Sequence, residues 1–158
     1  MAKFKDISIS IRPSSDDIIK LQSYLIENFD AIQKEFLAFL DSIKPIIKEA
    51  EELVKKAFDN DPVQLEEDMD KRASLSYTVG KFFVDACTYL NVYEIIHYQP
   101  KSDKISEADR KRTLRYKTSV QNSVFSNLKN LCEKLDKKVS VGQSILKFET
   151  QRFLKENI

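Results

Sequence analysis

Apolar residues recur along most of this chain at steps of three and four. From Ile18 they run through Leu21, Leu25, Phe29, Ile32, Phe36, Phe39, Ile43, Ile46, Ala50 and Leu53 to Ala57. This near-heptad alternation keeps one stripe of a helix turned toward a partner. Pro45 removes a backbone donor and clashes with the preceding turn, so the pattern predicts two helices, about 15–43 and 45–58, kinked or divided near residue 44. Such a stripe serves either the core of an intramolecular bundle or an oligomer seam, and in the second case Phe29 and Phe36 are its central residues.

A second helical stretch follows the break at "DNDP", where Asp61 before Pro62 makes a good start with the imino acid in the first turn. It runs to about His97 and is apolar on two faces, Met69–Ser76–Phe83–Leu90 and Leu75–Phe82–Tyr89–Ile96, as expected for a helix packed between others. The small residues Ala73, Ser76 and Gly80 predict a close helix crossing. Ser106 followed by Asp109 resembles a capping box and opens a helix to about 137, with Leu114, Val124, Leu128, Leu131 and Leu135 inward. Ser140 or Gly142 then starts a short helix to about 155 that would lie over the bundle as a lid.

One segment breaks the helical period. In "KFKDISISIR", Ile7, Ile9 and Ile11 alternate with serines, the signature of a strand with one apolar face. A lone strand must pair with another copy of itself, lie along the helices as an extended arm, or stay unstructured. The expected organisation is therefore an arm or strand over residues 1–13 and a single helical domain over 14–158, an all-α bundle of four to five helices. Ile7, Ile9, Ile11, Phe29 and Phe36 are the candidate residues of a homo-oligomer interface.

Composition supports that class. Two glycines and four prolines in 158 residues, with 32% charged, suit helices rather than turn-rich sheets. Cys87 and Cys132 each fall in an apolar stripe, so reduced thiols in a cytoplasmic protein are expected. There is no charged-then-apolar leader and no run of 18 apolar residues, so neither secretion nor membrane association is expected.

Charge changes the picture more than composition does. The net charge is +1, but residues 1–70 sum to −7 and residues 101–138 to +6. Five cations, Arg110, Lys111, Arg112, Arg115 and Lys117, fall within eight positions at the start of the helix that Ser106 caps. Cations there oppose the helix dipole, so local helix stability does not explain them. They suit a solvated surface, a salt-bridged contact with the acidic N-terminal half, or the phosphates of a nucleic acid. Tyr116 lies within the cluster, and Tyr89, Tyr93, Tyr98, Lys101 and Lys104 are near in sequence. Aromatic faces among cations suit single strands, whose bases stack while the phosphates are neutralised. No helix-turn-helix, zinc or basic-zipper pattern points to duplex readout.

Catalytic chemistry has little to build on. His97 is the single histidine, and beside Tyr93 and Tyr98 it reads as a hydrogen-bonded structural imidazole. The cysteines lack metal spacing, no glycine-rich phosphate loop exists, and "EEDMD" has neither the spacing nor the glycine of an EF-hand. No enzyme, cofactor or metal site is expected.

The tail "SVGQSILKFETQRF", preceded by "TSVQ" and "LCEKLD", resembles the C-terminal region of the UvsY family, the recombination mediators of T-even-type phages. "DIIKLQ" and "SIK" are similar to that family's opening helix, and Lys55 and Lys56 fall where it carries a basic pair implicated in DNA binding. Where the family has an aromatic turn with glycine, this chain has "FDNDP". The resemblance implies a helical homo-oligomer in a host cytoplasm that binds single-stranded DNA, contacts a single-strand-binding protein and helps load a recombinase. The competing expectation is a helical structural or adaptor subunit of a phage or other assembly, with no nucleic acid.

Overall fold

A computed structural model describes residues 15–156 as an all-α helical bundle of five helices: α1 (Ser15–Glu27), α2 (Phe29–Lys55), α3 (Pro62–Ile96), α4 (Glu107–Lys117) and α5 (Ser119–Glu156). The strand expected over Ile7, Ile9 and Ile11 lies outside the described residues. The described residues contain no strand. They divide into two compact units, to which α2, α3 and α5 each contribute one segment: residues up to 42 with 83–126, and 43–82 with those from 127 onward.

The first unit is held by an aromatic core. Leu25, Ile32, Phe36, Tyr89, Val92, Tyr93 and Ile96 are buried together, with α1 and α2 antiparallel to the end of α3. Phe36 meets the rings of Tyr89 and Tyr93 at centroid distances of 5.2 and 5.6 Å, and Phe29 meets Tyr93 edge-on at 6.0 Å. Phe36 is 3% exposed and Phe29 half-buried. Of the two expectations for the stripe, bundle core or oligomer seam, the position of Phe36 matches the core. Tyr89 donates its hydroxyl to a Glu35 carboxylate oxygen at 3.1 Å. Burial, then the Glu35 charge, drives its phenol well above the ordinary tyrosine range and keeps it a neutral donor. Gln22 reaches past the end of α3 to donate to the carbonyls of Ile96 and Tyr98.

The second unit depends on a buried cation. Arg72 is wholly buried on α3, and its guanidinium donates to the carbonyls of Leu53 and Lys56 at the end of α2. It stacks on the Phe58 ring at 4.6 Å and lies 3.8 Å from the Asp68 carboxylate. It thereby takes up carbonyls that a helix end leaves without partners. Along α3 and α5, Ser76 bonds Asp136 and approaches Cys132, while Gly142 faces Met69, so these helices run antiparallel. A β-carbon at Gly142 would come within 2.7 Å of the Met69 side chain.

Several boundaries differ from the expected ones. Pro45 does not divide α2, which continues through it. The proline is exposed, so water can take the carbonyl it frees, and Ile43 and Leu53 in the same helix are buried. Each contributes about 1.5–3 kcal/mol on burial, together enough to offset the roughly 3 kcal/mol an interior proline costs. The interruption falls instead at Asn28, whose side-chain amide and backbone N–H both donate to the Tyr24 carbonyl. Thr118 marks the interruption between α4 and α5, with the same pair of bonds to the Leu114 carbonyl. The helix expected to end near 137 and the separate lid helix are one element, α5, with Gly142 a point of close approach inside it. Ala73 is exposed, so of the small residues expected at the crossing Ser76 is the buried one.

Arg72→Ala should lower the unfolding free energy by about 3 kcal/mol, because two helix-end carbonyls lose a charged donor and each orphaned polar group costs about 1–3 kcal/mol. Urea unfolding reads this as a lower midpoint at unchanged slope. An unchanged midpoint would mean that solvent serves those carbonyls equally well.

Candidate nucleic-acid interface

The basic cluster occupies α4, a short helix with no buried residue. Ser106 caps it: the hydroxyl accepts from the Asp109 N–H at 3.1 Å and donates to the Asp109 carboxylate at 2.6 Å. At about 100° per residue, Lys111, Arg112, Arg115 and Tyr116 share one arc, while Arg110 and Lys117 fall on the side that carries half-buried Leu114. The five cations are therefore two groups.

Arg110 is half-buried and donates to the Gln99 carbonyl at 3.4 Å, a structural tie to the segment after α3. Lys117 lies near enough to His97 that its charge, after burial, lowers the imidazole's proton affinity. His97 is half-buried, and among the described residues its imidazole makes no hydrogen bond, so the expected hydrogen-bonded role is not what holds it.

On the outer arc, Lys111 pairs with Glu107 at 2.8 Å and Arg112 with Asp109 at 3.8 Å. The Lys111 hydrogen bond and charge hold the Glu107 carboxyl below its usual range. Both pairs are exposed and weak competitors for an outside anion. Arg115 makes no ion pair among the described residues, and neither does Lys117. Tyr116 projects beside them, 82% exposed. Of the other tyrosines expected near the cluster, Tyr89 and Tyr93 are buried in the core and unavailable to a base, whereas Tyr98, Lys101 and Lys104 are exposed.

Two residues that the sequence reading did not single out complete the surface. Glu94 on α3 and Asn122 on α5 line a cleft of about 520 Å³ together with Lys111, Arg112 and Arg115. Burial raises the carboxyl of Glu94, which forms no ion pair among the described residues. Its signal in the sequence was an acid inside the apolar run "YLNVYEIIHY".

The candidate basic pair by resemblance belongs to the second unit. Lys56 is engaged at 3.1 Å by Asp68, and Lys55 is exposed. Among the described residues no group of three or more His, Cys, Asp or Glu side chains is placed to hold a metal ion, and no helix is long and apolar enough to cross a membrane. Cys87 and Cys132 are free thiols. No protein-family model, curated protein or solved structure matches the chain.

The division of the cluster has a direct test in stability. Arg110→Ala should cost about 1 kcal/mol through the lost carbonyl bond and half-buried stem. Arg112→Ala and Arg115→Ala should leave the urea midpoint unchanged. Equal losses at all three positions would make the whole cluster structural.

Proposed function

We propose that the chain is a non-enzymatic, self-associating protein that binds single-stranded DNA through the outer face of α4. The observation that carries this reading is the arc of Lys111, Arg112 and Arg115 beside exposed Tyr116 on a helix that buries no residue. The sequence placed these cations at a helix start, but α4 is short: its first turn carries Glu107 and Asp109, and Arg115 and Lys117 fall in its last turn, where the helix dipole favours them. The dipole therefore weighs neither way, and what remains is that no core contact requires Lys111, Arg112 or Arg115. Phosphates would satisfy the cations and a base would stack on Tyr116. Repetition of the face in an oligomer would add weak contacts through effective concentration.

The resemblance to the UvsY family supports the same reading and extends it to a mediator of recombination whose partners are a recombinase and a single-strand-binding protein. In that role Lys55 is the member of the family-like basic pair left to meet an outside anion. Self-association draws support from exposed Ile19 and Ile26 on α1 and Phe148 and Leu154 on α5.

Labelled single-stranded DNA should bind with an affinity that falls steeply as salt rises, because each neutralised phosphate releases counterions. Arg112→Ala/Arg115→Ala should weaken binding about equally for all sequences and flatten the log–log salt slope by about 1–2 units. If the double variant binds like the parent but its oligomer dissociates, the cluster instead answers the acidic surface of a neighbouring copy. The chain is then a helical structural or adaptor subunit.

A further inference from the structure

The cleft beside α4 has two chemically different ends. Its outer wall carries Lys111, Arg112 and Arg115, all exposed and all donors. Its inner end, marked by wholly buried Thr118, offers the reverse. The Thr118 hydroxyl donates to the Leu114 carbonyl at 2.9 Å, and the Asn122 side-chain amide donates to the Thr118 carbonyl and hydroxyl at 3.1 and 2.9 Å. Those donors are spent. What Asn122 has left for a ligand is its carbonyl oxygen, and Glu94 adds a carboxylate with no ion-pair partner among the described residues. Half-buried Leu114 adds an apolar side chain to the lining. The volume, about 520 Å³, falls in the range of clefts that hold small ligands.

We infer that this cleft takes one unstacked nucleotide of a bound single strand, with its phosphate on the Lys111, Arg112 and Arg115 wall and a base bearing an exocyclic amine against Glu94 and Asn122. The inference rests on the single-strand reading above and adds a base preference to it. Two acceptors at the inner end match the amine of cytosine or adenine, as carboxylates accept from cytosine N4 elsewhere in nucleic-acid recognition. Thymine presents carbonyl oxygens on both sides of its one N–H, and these would face Glu94 and Asn122 as acceptor against acceptor. Glu94 is in this sense a specificity residue, while the cations hold the strand without regard to sequence.

The test uses the full chain and two labelled oligonucleotides of equal length, oligo(dC) and oligo(dT), titrated by fluorescence anisotropy at one salt concentration. Oligo(dC) should bind roughly tenfold more tightly, the discrimination expected of a good hydrogen-bonded base contact. Glu94→Gln, which can donate as well as accept, should bring the ratio close to unity, whereas Tyr116→Ala should lower both affinities and keep the ratio. Equal binding of the two oligonucleotides by the parent protein overturns the base preference and leaves strand binding standing. A preference that survives Glu94→Gln overturns the assignment to Glu94. If neither oligonucleotide binds, the single-strand reading falls and this inference with it.

Discussion

A guanidinium taken wholly out of water must be met by oxygens, and Arg72 imposes that requirement on the second unit. The carbonyls of Leu53 and Lys56 exist as free acceptors because α2 ends there, and the cation that serves them sits on α3, so one side chain ties the two helices across the turn, beside the Lys56–Asp68 pair. Phe58 closes over the same group. Removing a partner from a buried charge costs far more than removing one from an exposed charge. That asymmetry separates the arginines of this protein by task. Arg72 organises the fold, Arg110 ties a half-buried edge to Gln99, and Arg112 and Arg115 stand in water with no structural duty to lose.

The same asymmetry shows what the sequence could and could not announce. Periodicity displayed the helical class and the core stripe, since Leu25, Ile32, Phe36, Ile43, Ala50 and Leu53 all appear in it and all are buried. Local chemistry displayed the starts of α3 and α4: Asp61 accepts from Val63 in front of Pro62, and Ser106 caps through Asp109. The helix interruptions were illegible because they depend on competition that tertiary packing decides. Pro45 carries the strongest breaking signal in the chain, yet it lies on a solvated face where its lost bond is cheap. Asn28 and Thr118, residues with ordinary helical tolerance, mark the interruptions, and each side chain shares the carbonyl four residues back with its own backbone N–H, a bond that Thr78 and Thr88 also make inside the unbroken α3. Gly142 looked like a helix start and is a packing contact instead.

The candidate site was half legible for a related reason. The charge run named α4 and Ser106 marked its start, but the helix closes at Lys117, so the run fills its middle and last turn rather than the start of a long helix, and a linear pattern cannot say which cations the helix turns outward. The arc of Lys111, Arg112, Arg115 and Tyr116 emerges once half-buried Leu114 fixes the inner side. Glu94 and Asn122 come from helices distant in sequence, and the structure alone brings them to one cleft. Tyr89 and Tyr93, near the cluster in sequence but on an apolar stripe, are core, where their rings complete the packing of Phe36.

α4 itself offers the most direct test. A helix without a buried residue opens locally at low cost, so its amides should exchange with solvent faster than those of the aromatic core. A strand that binds the folded helix must stabilise it, by about 2.7 kcal/mol at a free concentration 100 times the dissociation constant. Amide hydrogen exchange of the full chain, with and without single-stranded DNA, should therefore show slowing by about two orders of magnitude confined to residues 107–122 and the end of α3. Binding that leaves α4 exchange unchanged, or that protects the α2 segment instead, would contradict the account.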